Sequence, residues 1–211
     1  RMIRLRRPDA SHTLSKVGAN IFSLINVDTA PGAGNIDVQS GNFWLVYSTQ
    51  LNGGPENTLT VRPDAILSLY MLFEPQRWTL ALNNRSLVSA ISGGASYNTW
   101  DGPVTLSGTA FLGGYNYPSY SMRFNGPVSG DGSVVKTDLA TVYLGNTNNV
   151  YTGDTVVSNG ALIVSHAGSL PGYATPGKVR VGPAGTLAVM TGDGAAGWSK
   201  AQLDSLRATA A

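Results

Sequence analysis

Apolar and polar residues alternate with period two through most of the chain, in short segments separated by Gly, Asn, Asp and Pro. Leu59, Val61, Leu67 and Leu69 are interleaved with Thr60 and Ser68, and similar segments begin near residues 14, 36, 134, 155 and 178. Each predicts a strand with one inward and one outward row. Within the two regions that hold them the starts recur every 20 to 23 residues. A unit that short cannot enclose a core of its own, so each coil must bury its inward row against the next. Between the two regions, Trp78 to Val88, Val104 to Leu112 and Tyr120 to Val128 continue the series less regularly.

A longer repeat overlies this spacing. Leu14-Ser15-Lys16 and Phe22-Ser23-Leu24 match Val134-Val135-Lys136 and Val142-Tyr143-Leu144 at an offset of 120. Val38 to Leu45 matches Val157 to Val164 at 119, which brings Gly41 onto Gly160. Leu59-Thr60-Val61-Arg62-Pro63 and Ala65 to Leu69 match Val179-Arg180-Val181-Gly182-Pro183 and Gly185 to Val189 at 120. The expected architecture is all-β: a parallel β-helix, or β-solenoid, of about eight coils at about 4.8 Å per coil, with a β-sandwich as the alternative. A single solenoid over residues 1–198 would hold two related copies, about 12–69 and 132–189, joined by an irregular, aromatic-rich middle at 70–131. Gly41 and Gly160 fall at corners that demand positive φ. Asp101-Gly102, Asp131-Gly132 and Asp193-Gly194 mark further turns. Residues 199–211 differ: Ser199-Lys200-Ala201-Gln202 has capping-box spacing, and Leu203 with Leu206 predicts a short helix, either a cap or the start of a further segment.

Composition agrees. Of 211 residues 12% are charged, against roughly 25% in an ordinary domain, and Gly occurs 26 times. With two Glu and four Lys, long amphipathic helices are not expected. The absence of Cys excludes disulfides and thiolate metal sites, and two histidines, His12 and His166, leave little for a metal cluster or general base. No cofactor is expected. The net charge of +2 rests on Arg1, Arg4, Arg6 and Arg7. Because Met2 to Arg6 alternates apolar and basic, it reads as an edge strand blunted by charge rather than as a nucleic-acid footprint. No apolar run is long enough to span a membrane, and no signal peptide is visible; starting at Arg1 without an initiator Met and stopping in Ala-Thr-Ala-Ala, the chain reads as a piece of something longer.

Residues Val128 to Val189 resemble the autotransporter-associated β-strand repeat, also called the passenger-associated transport repeat. The likeness rests on Val128 to Lys136, Leu144-Gly145-Asn146, and Val150-Tyr151-Thr152-Gly153-Asp154 running on to Gly160-Ala161-Leu162. Thr13 to Leu69 is a weaker match, and Trp100 to Leu106 is similar to the segment that often precedes the repeat. Asp138 and Ala140 stand where the family usually has glycines, and the first copy has Pro31-Gly32-Ala33-Gly34 in place of Tyr-Thr-Gly. The resemblance implies a right-handed β-helix in the exported part of a large bacterial surface or secreted protein, with Lys16, Gly41, Lys136, Tyr151, Thr152, Gly153 and Gly160 as structural motif residues. It implies passenger or stalk function, a secretion-assisting role and no catalytic residues. The partners would be neighbouring segments of the parent chain and, if the solenoid's ends are uncapped, further copies stacked end to end or side by side.

Two other classes are open. Tyr97, Trp100, Tyr115, Tyr117 and Tyr120 fall within 24 residues, and rings with polar tips suit stacking on a glycan or anchoring a surface protein. Alternatively, Trp100 packs beneath a loop and the tyrosines cover the middle of the rod. A polysaccharide-active enzyme would need paired carboxylates, with Asp131 and Asp154 as candidates across coils, either as acid and base or as Ca²⁺ ligands. His166 and His12 read as solvated loop residues, and no nucleophile elbow, P-loop or dinucleotide fingerprint is present.

Overall fold

A computed structural model describes residues 3–5, 12–29, 33–91, 98–115, 117–193 and 196–211. Strand β1 (Ile3–Leu5) precedes a chain that winds into parallel layers. The first turn is β2 (Thr13–Lys16), β3 (Ile21–Ile25) and β4 (Val27–Thr29). The second and third carry β5 (Asn35–Val38) with β6 (Asn42–Val46), and β7 (Thr58–Val61) with β8 (Ile66–Tyr70). The fourth is β9 (Thr79–Leu82), β10 (Ser86–Ala90) and β11 (Asn98–Trp100). The fifth is β12 (Val104–Leu106), β13 (Thr109–Gly114) and β14 (Ser121–Phe124). In the sixth come β15 (Val128–Gly130), β16 (Ser133–Lys136) and β17 (Thr141–Leu144). β18 (Thr155–Val164) bends around a corner to supply two faces of the seventh, and β19 (Val179–Val189) lies on it.

The result is a β-solenoid of about seven turns, and every strand pairing within its sheets is parallel, which removes the sandwich alternative. Where about eight coils were expected, about seven turns are followed by a partial layer. Between β18 and β19 a 3₁₀ turn (Ala167–Ser169) and tight turns replace the first-face strand, so the last layer is partial. The first face stacks β2, β5, β7, β9, β12 and β15. The second stacks β3, β6, β8, β10, β13, β16 and the first half of β18. The third stacks β11, β14, β17 and the second half of β18, and the isolated bridges Asp28 to Gln50 and Gln76 to Trp100 extend it toward the N-terminus. The stretch 70–131, expected to be irregular, carries β9 to β15 in this same register. β1 pairs with β4, as an edge strand at the N-terminus would.

Alternation places Val38, Leu45, Leu59, Val61, Leu67 and Leu69 fully inside. Each such side chain contributes about 1.5–3 kcal/mol by leaving water. Buried amides tie the layers where loops enter the core. Asn98 accepts from Leu72 N–H at 3.0 Å and donates to Ser121 O at 3.0 Å, so one side chain bridges turns three and five. Asn149 likewise accepts from Val128 N–H and donates to Ser169 O, both at 2.9 Å. Glycine allows the closest backbone approach at Gly126, where a Cβ would stand 1.8 Å from Gly102 O.

The matched segments meet in an unexpected way. Through successive pairings, Leu14 lines up with Ile36, Leu59, Leu80, Val104 and Val128 on the first face. Val134, its partner at offset 120, lies instead on the second face, in register with Ala110. The offset is therefore five turns plus one face, so the corner between the first and second faces recurs as the corner between the second and third. In the first, Lys16 Nζ donates to the carbonyls of Val17, Gly18 and Ser40 at 3.2, 2.6 and 2.8 Å. In the second, Lys136 Nζ donates to Thr137 O, to Asp138 O at 2.8 Å and to Asn159 O at 2.9 Å. Gly41 and Gly160 follow the accepting residues at φ 70° and 64°. Asp138 adopts φ 59° where the first corner has Gly18 at 79°, a conformation that asparagine and aspartate tolerate better than other non-glycine residues.

The two ends differ. At the N-terminal end Val17, Ile21, Phe22 and Ile25 are exposed. At the other, α1 (Lys200–Thr209) starts with the expected capping box, Ser199 accepting from Gln202 N–H while the Gln202 side chain accepts from Ser199 N–H. Leu206 is buried and Leu203 and Ala210 pack on the core. Ala211 exchanges backbone hydrogen bonds with Val179 and Val181. The helix thus packs against the core beside β19. No helix among the described residues is long and apolar enough to cross a membrane.

Candidate functional site

The five aromatic residues suggested by sequence do not form one strip. Tyr97 lies outside the described residues. Trp100 is wholly buried and donates its Nε1–H to Trp78 O at 2.9 Å, while Trp78 Nε1–H donates to Asn52 O at 2.9 Å. The inward phase of β11 puts that indole in the core, so it makes no contact with an external ligand. Tyr120 is half-buried against the core with its ring 5.1 Å from that of Tyr117. Tyr115 and Tyr117 remain exposed, at 60% and 57%.

The motif residues are structural in position. Lys16 and Lys136 are the corner donors already described. Burial lowers the Lys136 ammonium to about 8, with Asp138 opposing the shift. Tyr151 is buried with its hydroxyl 2.6 Å from Thr155 Oγ1, and burial raises it to about 12 against the opposing effect of that hydrogen bond. Thr152 O accepts from Lys178 Nζ at 2.8 Å, and a Cβ on Gly153 would stand 2.2 Å from Gly132 O.

Of the two carboxylates expected as candidates for hydrolysis, Asp154 is engaged in ion pairs. Asp154 faces Lys178 at 3.2 Å and Arg180 at 2.9 Å on the next layer, and the Lys178 hydrogen bond is the foremost cause of its lowered pKa. Asp131 is exposed. Among the described residues no three His, Asp or Glu side chains gather where they would share a metal ion. His166, expected in solvent, is half-buried at the start of the 3₁₀ turn, and its Nδ1 is enclosed without a hydrogen-bond partner. His12 is exposed.

The concavity that residue spacing did not suggest lies on the outside of the second face, where a groove of about 290 Å³ crosses several turns. Its floor is set by register: Trp44, Ser68, Ser89 and Gly113 occupy one column. From Ser68 onward the outward side chains are small, and a Cβ on Gly113 would stand 2.4 Å from the Asp138 carboxylate. Ile66 and Leu87 form one apolar side of the groove. Ser68 Oγ–H donates to Asn42 Oδ1 at 2.8 Å near one end. At the other end stand Tyr115 and Asp138, whose carboxylate accepts from Thr137 Oγ1–H at 3.1 Å and from Gly114 N–H at 3.4 Å. Beside the Asn42 end, the Trp44 ring lies 6.1 Å from Tyr70, which meets Tyr47 edge-on at 5.5 Å. Of these, sequence reasoning found only Tyr115. No family model, curated protein or solved structure matches the chain.

Proposed function

We propose that the chain is a structural module, a β-solenoid segment of an exported bacterial surface or secreted protein that serves as passenger or stalk. The observation that carries this is where its charges go. Arg62 pairs with Asp37, Arg85 with Asp64, and Lys178 and Arg180 with Asp154, each across successive layers. Lys16 and Lys136 join carbonyls of two successive turns. These ionisable side chains are spaced along the axis, where they tie one turn to the next. The similarity to the autotransporter-associated repeat supplies the exported setting.

The test is to place the chain between a secretory signal and an outer-membrane barrel in a Gram-negative host and to measure protease accessibility at the cell surface. The expected result is efficient display of the native segment and reduced display when Gly126→Ala prevents close stacking. Retention of the native segment inside the cell, or equal display of both, overturns the proposal.

A further inference from the structure

We propose that the groove on the second face binds a neutral oligosaccharide chain laid along the solenoid axis. Its contributing residues run from Asn42 on the second turn to Asp138 on the sixth, four steps of about 4.8 Å or roughly 19 Å in all. That length accommodates several sugar rings in an extended chain.

The nature of the floor selects the ligand. It is the outer face of a sheet whose backbone N–H and C=O groups already bond to the turns above and below. An extended peptide would find no strand edge to join, which is the usual source of affinity in strand addition. Recognition must come from side chains: the Asn42 amide, held by the buried Ser68 hydroxyl, and the Asp138 carboxylate, set beside Ile66 and Leu87 over a floor in which Ser89 is nearly buried. A ligand that alternates hydroxyl groups with apolar C–H faces meets both surfaces. The exposed Tyr115 ring offers a stacking face at one end, and the half-buried Trp44 and Tyr70 flank the other.

Charge decides between neutral and acidic sugars. No Lys or Arg lines the groove among the described residues, and its one ionisable carboxyl is Asp138. An anionic chain would meet the Asp138 carboxylate with no cation on the lining itself, since the neighbouring Lys136 ammonium is wholly buried in the corner, whereas a neutral one can donate hydroxyl hydrogen bonds to the carboxylate. The floor is built on rigid strands, so little ordering is needed on binding.

The probes are cellohexaose, laminarihexaose, mannohexaose and maltohexaose, with hexagalacturonate as the acidic comparison, measured by saturation-transfer NMR and calorimetry. At least one neutral hexaose is expected to bind with a Kd of about 1 mM or tighter. Ser89→Tyr, which fills the groove from an outward position, is expected to weaken it at least about tenfold. Tyr115→Ala alters an exposed ring and keeps the test decisive should Ser89→Tyr misfold; a loss of several-fold is expected. Absence of saturable binding by all four neutral sugars, unchanged affinity in a folded variant, or tighter binding of hexagalacturonate overturns the proposal. Solution binding is independent of export, so this inference and the structural role fail separately.

Discussion

Replacing Lys136 by Met tests whether the corner ammonium holds two turns together. The substitution keeps much of the apolar stem but removes the donor shared by Thr137 O, Asp138 O and Asn159 O. Hydrogen bonds to a charged group contribute about 1.5–3 kcal/mol each, so three amount to about 4.5–9. Against this, Met escapes the desolvation that lowers the ammonium to about 8, worth roughly 3 kcal/mol relative to an unfolded value near 10.4. The net expected loss is about 1.5–6 kcal/mol. Urea unfolding followed by far-UV circular dichroism measures it, and hydrogen exchange at β17 and the second half of β18 localises it to the affected corner. Lys16→Met removes the same three contacts from the first turn, where fraying is less costly, and is expected to lose less. A Lys136→Met protein within about 0.5 kcal/mol of the native one, or more stable than it, refutes the reasoning.

Gly126→Ala is expected to cost at least about 3 kcal/mol or to prevent soluble expression, because the new Cβ would stand 1.8 Å from Gly102 O and force two layers apart; solubility and thermal melting check this. Asn98→Ala removes a partner from both Leu72 N–H and Ser121 O and is expected to cost about 2–4 kcal/mol, read by chemical denaturation. Stability is expected to rise between about pH 8 and 10, since the unfolded chain then binds the proton that Lys136 has released. It is expected to fall between about pH 10 and 12, where unfolded tyrosine ionises but Tyr151, raised to about 12, stays protonated in the fold. Melting temperatures across this range should lose the rise in Lys136→Met and the fall in Tyr151→Phe.

How far the chain could be read before its fold was known follows from what each feature depends on. Strands were legible because inward rows such as Leu59, Val61, Leu67 and Leu69 alternate locally, and α1 because its capping box is contained within four residues. The corners were legible as a repeat, with Lys16 and Gly41 recurring as Lys136 and Gly160, because a strand, a left-handed turn and a second strand form a local unit. Which face that unit occupies is not local. It depends on the sum of all preceding loop lengths, and so an offset of 120 conceals a shift by one face. Asn98 and Asn149 carry no local signal, because their role lies in partners one turn away on either side. Trp100 belonged to an aromatic-rich stretch by position and to the core by phase. The groove was the least legible feature. Asn42, Ser68, Ser89, Tyr115 and Asp138 come from five different turns, and each is an unremarkable outward residue of its own segment. Only the register of the stack makes them neighbours, so a solenoid hides a lateral site from sequence more completely than it hides its own fold.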